Sequence, residues 1–171
     1  MTQQDRDARN DEYAQAQLCI ADVDGRGLLL RPRPEPGGQG RFPFAADAVH
    51  VITAFDPGPE RLSPDENQRR QDSLVAELPG EVEWWVAVTG AADGSHEETC
   101  VVAEGLSDEQ ALRLGATWGQ DAIFRWTRHT WSVLPCDDGA AVHLGWELEE
   151  LDGRSRSDGI PRRRLPRARP R

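Results

Sequence analysis

Short apolar runs separated by turn sequences occupy the first third of the chain. The runs AQLCIADV and GLLLRP flank Asp24-Gly25-Arg26-Gly27, and two apolar runs around such a turn sequence predict a β-hairpin. A loop rich in Pro and Gly follows, RPEPGGQGRFPF. The next run, AVHVITAF (48–55), has the β-branched and aromatic content of a buried strand. Three strands are therefore predicted before residue 56.

Capping sequences mark the starts of two helices. In Ser63-Pro64-Asp65-Glu66 the serine can cap the helix, the proline suits the first helical position, and the glutamate can reach back. This helix is predicted to run to about Leu78. Ser107-Asp108-Glu109-Gln110 is a second capping box. Its helix is predicted to end near Trp118, with Gly119 as the left-handed cap.

Five more apolar runs predict short strands, and their order suggests a fold. The runs are VEWWVAVTG (82–90), HEETCVVAEG (96–105), DAIFRWT, WSVLP and AVHLGWEL. Over residues 48–127 the order is strand, helix, strand, strand, helix, strand, which is the split βαβ pattern of a ferredoxin-like plait. We therefore predict an α+β fold with this plait as its core. The N-terminal hairpin and the last two strands are expected to extend the sheet or cover its second face.

Length and composition predict one domain with polar ends. The chain has 171 residues, of which 37% are hydrophobic and 29% charged, which is typical of a globular protein. We predict a disordered N-terminus (1–15), a single α+β domain (16–150) and a disordered basic tail (151–171). No apolar run approaches the ~18 residues of a transmembrane span, and the N-terminus has no signal-peptide pattern. A cytoplasmic protein without membrane contact is expected.

Potential metal-binding and thiol residues are scattered along the chain. The three cysteines, Cys19, Cys100 and Cys136, lack the short paired spacing of a zinc or redox motif. The histidines are equally scattered: His50, His96, His129 and His143. We therefore expect reduced cysteines, no metal site and no cofactor. Phosphate-binding loops, dinucleotide-binding glycine motifs, serine elbows and zincin helices are not found in the sequence.

Charge is distributed unevenly between the body and the tail. Residues 1–153 carry 12 Arg against 29 acidic residues, a net charge of −17, whereas residues 154–171 carry 8 Arg against one Asp, a net charge of +7. The body should repel nucleic acid, and the tail should attract RNA or an acidic partner. The alternative is that the tail lies loosely on its own acidic body.

The predicted first helix has a polar inward stripe in its N-terminal half. Leu74 and Leu78 share a face, and steps of three and four residues back along that face reach Arg70, Gln71 and Asn67. A helix N-terminus suits an anion or a carboxylate. The stripe has two interpretations, namely one wall of a polar pocket or hydrogen bonds that lock the preceding loop.

Two further groups of polar residues are candidates for the same pocket. His96 and Glu98 share a face of the predicted strand and offer an acid–base pair, although solvated turn residues would look the same. Gln120 and Asp121 follow the second helix and could bridge strand and helix or face the pocket.

These landmarks together resemble a known family. The run Ile52-Thr53-Ala54 followed by an Asp-Pro, a helix with Asn67, Glu98 before an apolar strand, and GLSDEQALRLGATWGQDAIFRW resemble the bacterial domain-of-unknown-function family 3293 over roughly residues 16–135. The family pattern favours Trp-Asn-Pro where this chain has Phe55-Asp56-Pro57, and Gly-Gln-Asn-Ala where it has Gly119-Gln120-Asp121-Ala122. Two amides are thus replaced by carboxylates, which only accept hydrogen bonds when ionised. The resemblance implies a grouping and candidate positions but no activity.

The functional hypothesis that follows is a non-enzymatic ligand-binding or regulatory module. Its candidate polar pocket consists of Thr53, Asp56, Asn67, Arg70, Glu98, Gln120 and Asp121. The alternative is a hydrolase or transferase on a nucleotide-like or phosphorylated substrate, with Asp56, Glu98 or His96 as acid or base. A third hypothesis is an RNA or acidic-partner adaptor that acts through residues 154–171.

Overall fold

Nine strands and two helices make up the part of the chain that the computed structural model describes, residues 12–151. The strands are β1 Gln17–Val23, β2 Arg26–Arg33, β3 Gly38–Gln39, β4 Ala48–Ile52, β5 Glu83–Gly90, β6 Glu97–Glu104, β7 Ala122–Thr127, β8 Trp131–Pro135 and β9 Val142–Leu151. The helices are α1 Pro64–Glu77 and α2 Asp108–Thr117. Residues 12–14 add one helical turn. The predicted hairpin, helices and strands are all present at or within a few residues of their expected positions.

Eight of the strands form a closed antiparallel barrel. The order of neighbours is β2-β1-β5-β6-β4-β7-β8-β9, and β9 pairs with β2 to close the circle. The closing ladder is long, since it runs from the pair Gly27↔Leu151 to the pair Arg33↔Gly145. The ninth strand, β3, adds a short parallel pairing to β9. Closure leaves no long unpaired strand edge among the eight strands.

The predicted α+β ferredoxin-like plait is therefore wrong. The strand and helix order predicted over residues 48–127 is present, but a plait would leave its four-stranded sheet open at both sides. Here the hairpin strand β1 pairs with β5, and β8 pairs with β7. The predicted extra strands neither extend an open sheet nor cover its second face, because they bend round and complete a barrel.

Large apolar side chains fill the interior of the barrel. Alternate residues along each strand point inward, and the buried inward set includes Leu18, Ile20, Leu28, Leu30, Val49, Val51, Cys100, Val102, Phe124, Trp126, Trp131, Val133 and Trp146. Phe42 and Phe44 enter from the loop after β3 and pack edge-on against Trp126 at centroid distances of 5.2 and 5.4 Å. The interior is a packed aromatic core.

The other faces of three neighbouring strands, β6, β4 and β7, are covered by the two helices. Ile52, Val101, Ala103 and Ile123 point outward and pack with Leu74 of α1, Ala111 of α2 and neighbouring apolar residues. Both faces of β6 are consequently buried, as its two sets of apolar positions indicate. This second apolar layer holds α1 and α2 against the barrel.

Local sequence explains where the helices start and how α2 ends. The side chain of Ser63 accepts a hydrogen bond from the Glu66 amide, and Ser107 with Gln110 forms a reciprocal capping box. After α2, Gly119 has φ +76°, as expected for a left-handed cap. A Cβ at Gly119 would lie 2.8 Å from Pro57. The cap therefore also lets the loop after β4 approach the end of α2.

The ends of the chain carry two predictions that the structure bears on only in part. Disorder of the Arg-rich tail falls on residues 152–171, outside the described part, and disorder of the N-terminus falls mostly on residues 1–11, also outside it. Between them, in residues 12–151, helices are too short and polar to cross a membrane.

Candidate functional site

The loop that follows β4 is fixed by hydrogen bonds to its backbone. Thr53 comes directly after β4, and its Oγ1 donates to the carbonyl oxygen of Thr99 at 2.8 Å. The same Oγ1 accepts from the amide of Phe55 at 3.1 Å. One hydroxyl thus ties the end of β4 to β6 and also shapes the turn that begins there.

The polar stripe of α1 faces this loop. Asn67 and Gln71 are only 5% and 3% exposed. The Oδ1 of Asn67 accepts from the amide of Asp56 at 2.9 Å, and the Oε1 of Gln71 accepts from the amide of Ala54 at 2.8 Å. Both side chains satisfy backbone donors that would otherwise be buried without a partner.

Two further side chains bind carbonyl groups of the same loop. Arg70 donates through Nε to the carbonyl of Ala54 at 2.8 Å and through Nη2 to the carbonyl of Trp118 at 2.6 Å. The Nε2 of Gln120 donates to the carbonyl of Phe55 at 2.7 Å. Arg70 lies on α1 and Gln120 follows α2. Together they therefore join α1, the loop and the end of α2.

We call this set of side chains the loop network. Its members are Thr53, Asn67, Arg70, Gln71 and Gln120. Four of them were predicted as pocket residues, and the structure brings those four together around residues 53–56. Their hydrogen bonds to the loop backbone correspond to the second interpretation of the polar stripe, in which these side chains lock the preceding loop. Gln71 was seen on the stripe but not included in the predicted set.

Asp56 is held in a strained position by its own loop. Its φ is +38°, which is uncommon for a residue with a side chain. Its Oδ1 accepts from the amide of Leu62 at 2.9 Å and from Nδ2 of Asn67 at 2.8 Å, and its Oδ2 accepts from Nη1 of Arg61 at 3.0 Å. The carboxylate therefore closes the loop from within.

Glu98 lies at the end of the barrel next to this loop. Its side chain follows the inward alternation of Cys100 and Val102, and its Cα partner across the ladder is Thr89. The Glu98 side chain is 19% exposed. Its Oε1 lies 2.9 Å from Nε2 of His96.

The two neighbouring carboxylates have opposite electrostatic settings. Burial raises the pKa of Glu98; the hydrogen bond and charge of His96 oppose this, and the charge of Asp56 adds to it. Burial alone would also raise the pKa of Asp56, but the hydrogen bonds from Asn67, Leu62 and Arg61 outweigh burial and hold that pKa below its usual value. Such a divergence between neighbouring acids is typical of functional sites.

We call these groups at the end of the barrel the mouth cluster. It consists of Asp56, Arg61, His96 and Glu98. The sequence did not indicate Arg61, because nothing in its immediate neighbourhood marks it as a partner of Asp56. Arg61 reaches Asp56 because the tight loop after residue 56 turns the chain back within five residues.

The last predicted site residue, Asp121, sits at the start of β7. Its carbonyl accepts from the amide of Cys136 at 2.8 Å. Burial raises the pKa of Cys136 to about 11, and the charge of Asp121 contributes in the same direction. The structure thus places Asp121 beside the end of β8.

A separate groove of about 370 Å³ lies on the outer surface of the barrel. Its lining residues are Gln17, Cys19, Leu29, Val88, Gly90, Ala91, Ala92, Asp93, Gly94 and Glu97. The loop network and the mouth cluster contribute nothing to this lining. Within residues 12–151 there is also no group of three His, Cys, Asp or Glu side chains arranged to hold a metal ion.

Comparison with known proteins gives a family for the segment that contains the loop network and the mouth cluster. Residues 52–123 match the family model described as "Protein of unknown function (DUF3293)". This segment is similar to that family. No curated protein and no solved structure matches the chain. The DUF3293 segment spans α1, β5, β6 and α2 and includes all the predicted site residues, whereas β1, β2, β8 and β9 lie outside it.

Proposed function

We propose that the protein is a binding module that takes a small polar ligand at the mouth cluster. The ligand would offer an amine or hydroxyl group to Glu98. The observation that carries this proposal is the setting of the Glu98 carboxylate. The carboxylate is mostly buried, and one of its two oxygens, Oε1, is paired with His96. In residues 12–151 no hydrogen bond to its other oxygen is found, so that oxygen can accept from a ligand.

The surrounding groups support a ligand that donates. Asp56 has both oxygens engaged by its own loop and supplies negative charge without competing for the same donor. The loop network keeps this loop in place whether or not a ligand is bound. A preorganised wall of this kind reduces the ordering cost of binding.

One alternative keeps the same residues but adds chemistry. A hydrolase or transferase on a nucleotide-like or phosphorylated substrate would use the His96 and Glu98 pair as its acid and base, and the raised pKa of Glu98 favours that use. Asp56 is a poorer acid or base, because four hydrogen-bonding atoms already fix its carboxylate and amide. Turnover of a phosphorylated substrate would distinguish this alternative from binding alone.

Two further proposals come from the sequence. The first is that the protein acts in the cytoplasm, which is consistent with its cysteines: all three lie within residues 12–151, and none forms a disulfide. The second is that residues 154–171 contact RNA or an acidic partner through their charge of +7. Removal of those residues should then abolish salt-sensitive binding.

The test of the binding proposal is a thermal-shift screen with matched variants. The probes are defined amines, amino acids, polyols and nucleotides, tested on the wild type, Glu98→Gln and Glu97→Gln. Glu97 is the neighbouring exposed carboxylate and points to the opposite face. We expect an amine or polyol to raise the Tm of the wild type and of Glu97→Gln but not of Glu98→Gln. Equal shifts in all three proteins, or none with any probe class, would overturn the proposal.

A further inference from the structure

Three polar side chains from three elements meet beneath the start of α2. His50 on β4 and Arg125 on β7 are direct partners across the ladder, and both point toward the outer layer. Asp108, the first residue of α2, lies above them. Its Oδ1 is 2.8 Å from Nε2 of His50 and 3.0 Å from Nε of Arg125. The contact with Arg125 is an ion pair without the alignment of a hydrogen bond.

The chemistry of these groups fixes where the proton of a neutral His50 must be. An ionised Asp108 only accepts hydrogen bonds, so Nε2 of His50 carries the hydrogen that it donates. The other ring nitrogen, Nδ1, is then the bare one. It is buried and has no hydrogen-bond partner, and His50 as a whole is 1% exposed.

A second proton on His50 would have no favourable place. It would create an N–H group at Nδ1 in a buried position that offers no acceptor, and an unmet buried donor is costly. It would also put a positive charge beside Arg125, which shares the Asp108 oxygen. The charged ring is therefore disfavoured where it is and is better accommodated if α2 moves away and water enters.

We propose that His50, Asp108 and Arg125 form a pH-sensitive latch, in which the neutral ring of His50 fastens the start of α2 to the barrel and protonation of the ring releases it. The proposal does not depend on the proposed ligand. It concerns the attachment of α2, which can be measured in the protein alone.

The direction of the pH effect follows from the groups that face His50. Burial lowers its pKa below the usual value of 6.5; the hydrogen bond and charge of Asp108 oppose this, and the charge of Arg125 adds to it. On the β6 side the facing residue is Ala103, which is uncharged. A released His50 binds a proton more readily than a latched one, so the latch is intact above about pH 6.5 and weakens as the pH falls toward the lowered pKa.

Release of α2 at this end would reach the loop network at its other end. The carbonyl of Trp118 accepts from Arg70, and Gln120 donates to Phe55, immediately after the last turn of α2. The helix is only ten residues long. A shift at Asp108 is thus transmitted through one rigid element to the loop beside the mouth cluster.

The test compares wild type, His50→Gln and His129→Gln by amide hydrogen exchange. Glutamine at position 50 can donate to Asp108 but cannot take up a proton, and His129 is an exposed histidine in the turn after β7. Protection is expressed relative to an unstructured peptide at the same pH. Between pH 6.5 and 5.5 we expect protection of the α2 amides to fall up to about tenfold in the wild type and in His129→Gln, because opening is linked to one proton. His50→Gln should change much less.

Equal loss of α2 protection in wild type and His50→Gln would overturn the latch. If His50→Gln fails to fold, an NMR titration of the wild type decides. The latch requires the His50 ring to titrate below about pH 6.5 together with the amide signals of α2. A midpoint at or above about 6.5, or unchanged α2 signals through the titration, would contradict it.

Discussion

The inside of the barrel and the layer beneath the helices are built on different principles. Inside, rings of Phe42, Phe44, Trp126 and Trp146 pack against one another with few polar atoms. Beneath and beside the helices, apolar packing is interrupted by buried polar side chains such as Asn67. Apolar contacts are nondirectional and stabilise the interior of the barrel, whereas the side-chain hydrogen bonds are directional and determine where the helices and the loop lie.

The largest predicted effect is on the inside of the barrel. Trp126→Ala removes a fully buried ring that touches Phe42, Phe44 and Trp146. We expect it to lower the free energy of unfolding by about 3–5 kcal/mol, measured by urea denaturation. Trp126→Phe, which keeps an aromatic ring, should cost less. A loss for Trp126→Ala below that of a loop-network variant would reverse the comparison.

The second prediction concerns the directional contacts beneath the helices. Arg70→Ala removes two hydrogen bonds to loop and helix carbonyls and a contact between the guanidinium and the Trp118 ring at 5.2 Å. We expect it to lower the free energy of unfolding by about 1–3 kcal/mol. The adjacent residue is a matched control, because Arg69 is exposed and its side chain pairs with Glu66 at 3.5 Å. Arg69→Ala should cost about 0–0.5 kcal/mol. Equal losses would mean that the loop network adds little.

Local signals predicted the two helices and the strand that they cover well. The capping serines, Ser63 and Ser107, mark the helix starts, and the apolar positions on both faces of β6 indicate a strand covered on both sides. The polar stripe on α1 likewise predicted that Asn67 and Arg70 meet the loop after β4. Each of these signals depends on residues within a few positions of one another.

Closure of the barrel could not be predicted in the same way. It depends on a ladder between Gly27 and Leu151 and their neighbours, more than 100 residues apart in the chain, and on curvature that distributes over all eight strands. The alternation along β1, β2 and β9 is equally compatible with an open sheet. The order of strands and helices over residues 48–127 favoured the plait, because a plait has the same order. The two folds differ in that β1 and β8 pair here with the outer strands, β5 and β7.

Three members of the mouth cluster, Asp56, His96 and Glu98, were predicted as site residues, whereas Arg61 and the electrostatics of the cluster were not. The spacing of His96 and Glu98 predicted that they share one face, but it did not predict their contact. The partial burial of Glu98 depends on its place at the end of the barrel, and thus on the closure. Arg61 joins the cluster only because the loop after Asp56 turns back. That turn includes a positive φ of +38° at Asp56, and no glycine at this position indicates it in the sequence.

The smallest predicted effect distinguishes the mouth cluster from the loop network. Burial raises the pKa of Glu98, because it makes the ionised form less favourable in the folded than in the unfolded protein. Glu98→Gln should therefore raise the Tm at pH 7. This rise should be smaller in magnitude than the Tm losses of Trp126→Ala and Arg70→Ala. The folded wild type takes up a proton first as the pH falls through the raised pKa of Glu98. The advantage of the variant should then decline and disappear below about pH 4.5, the usual value for the group.

Glu97→Gln, on the opposite face of the same strand, is the matched control, because it also replaces one carboxylate by an amide. A lower Tm for Glu98→Gln at pH 7 would mean that the pairing with His96 outweighs burial. Glu98 would then be a structural residue like those of the loop network, and the end of the barrel would contain one continuous stabilising network. A higher Tm means instead that the fold tolerates an unfavourable charge at this position, which is the property expected of a residue retained to contact a ligand.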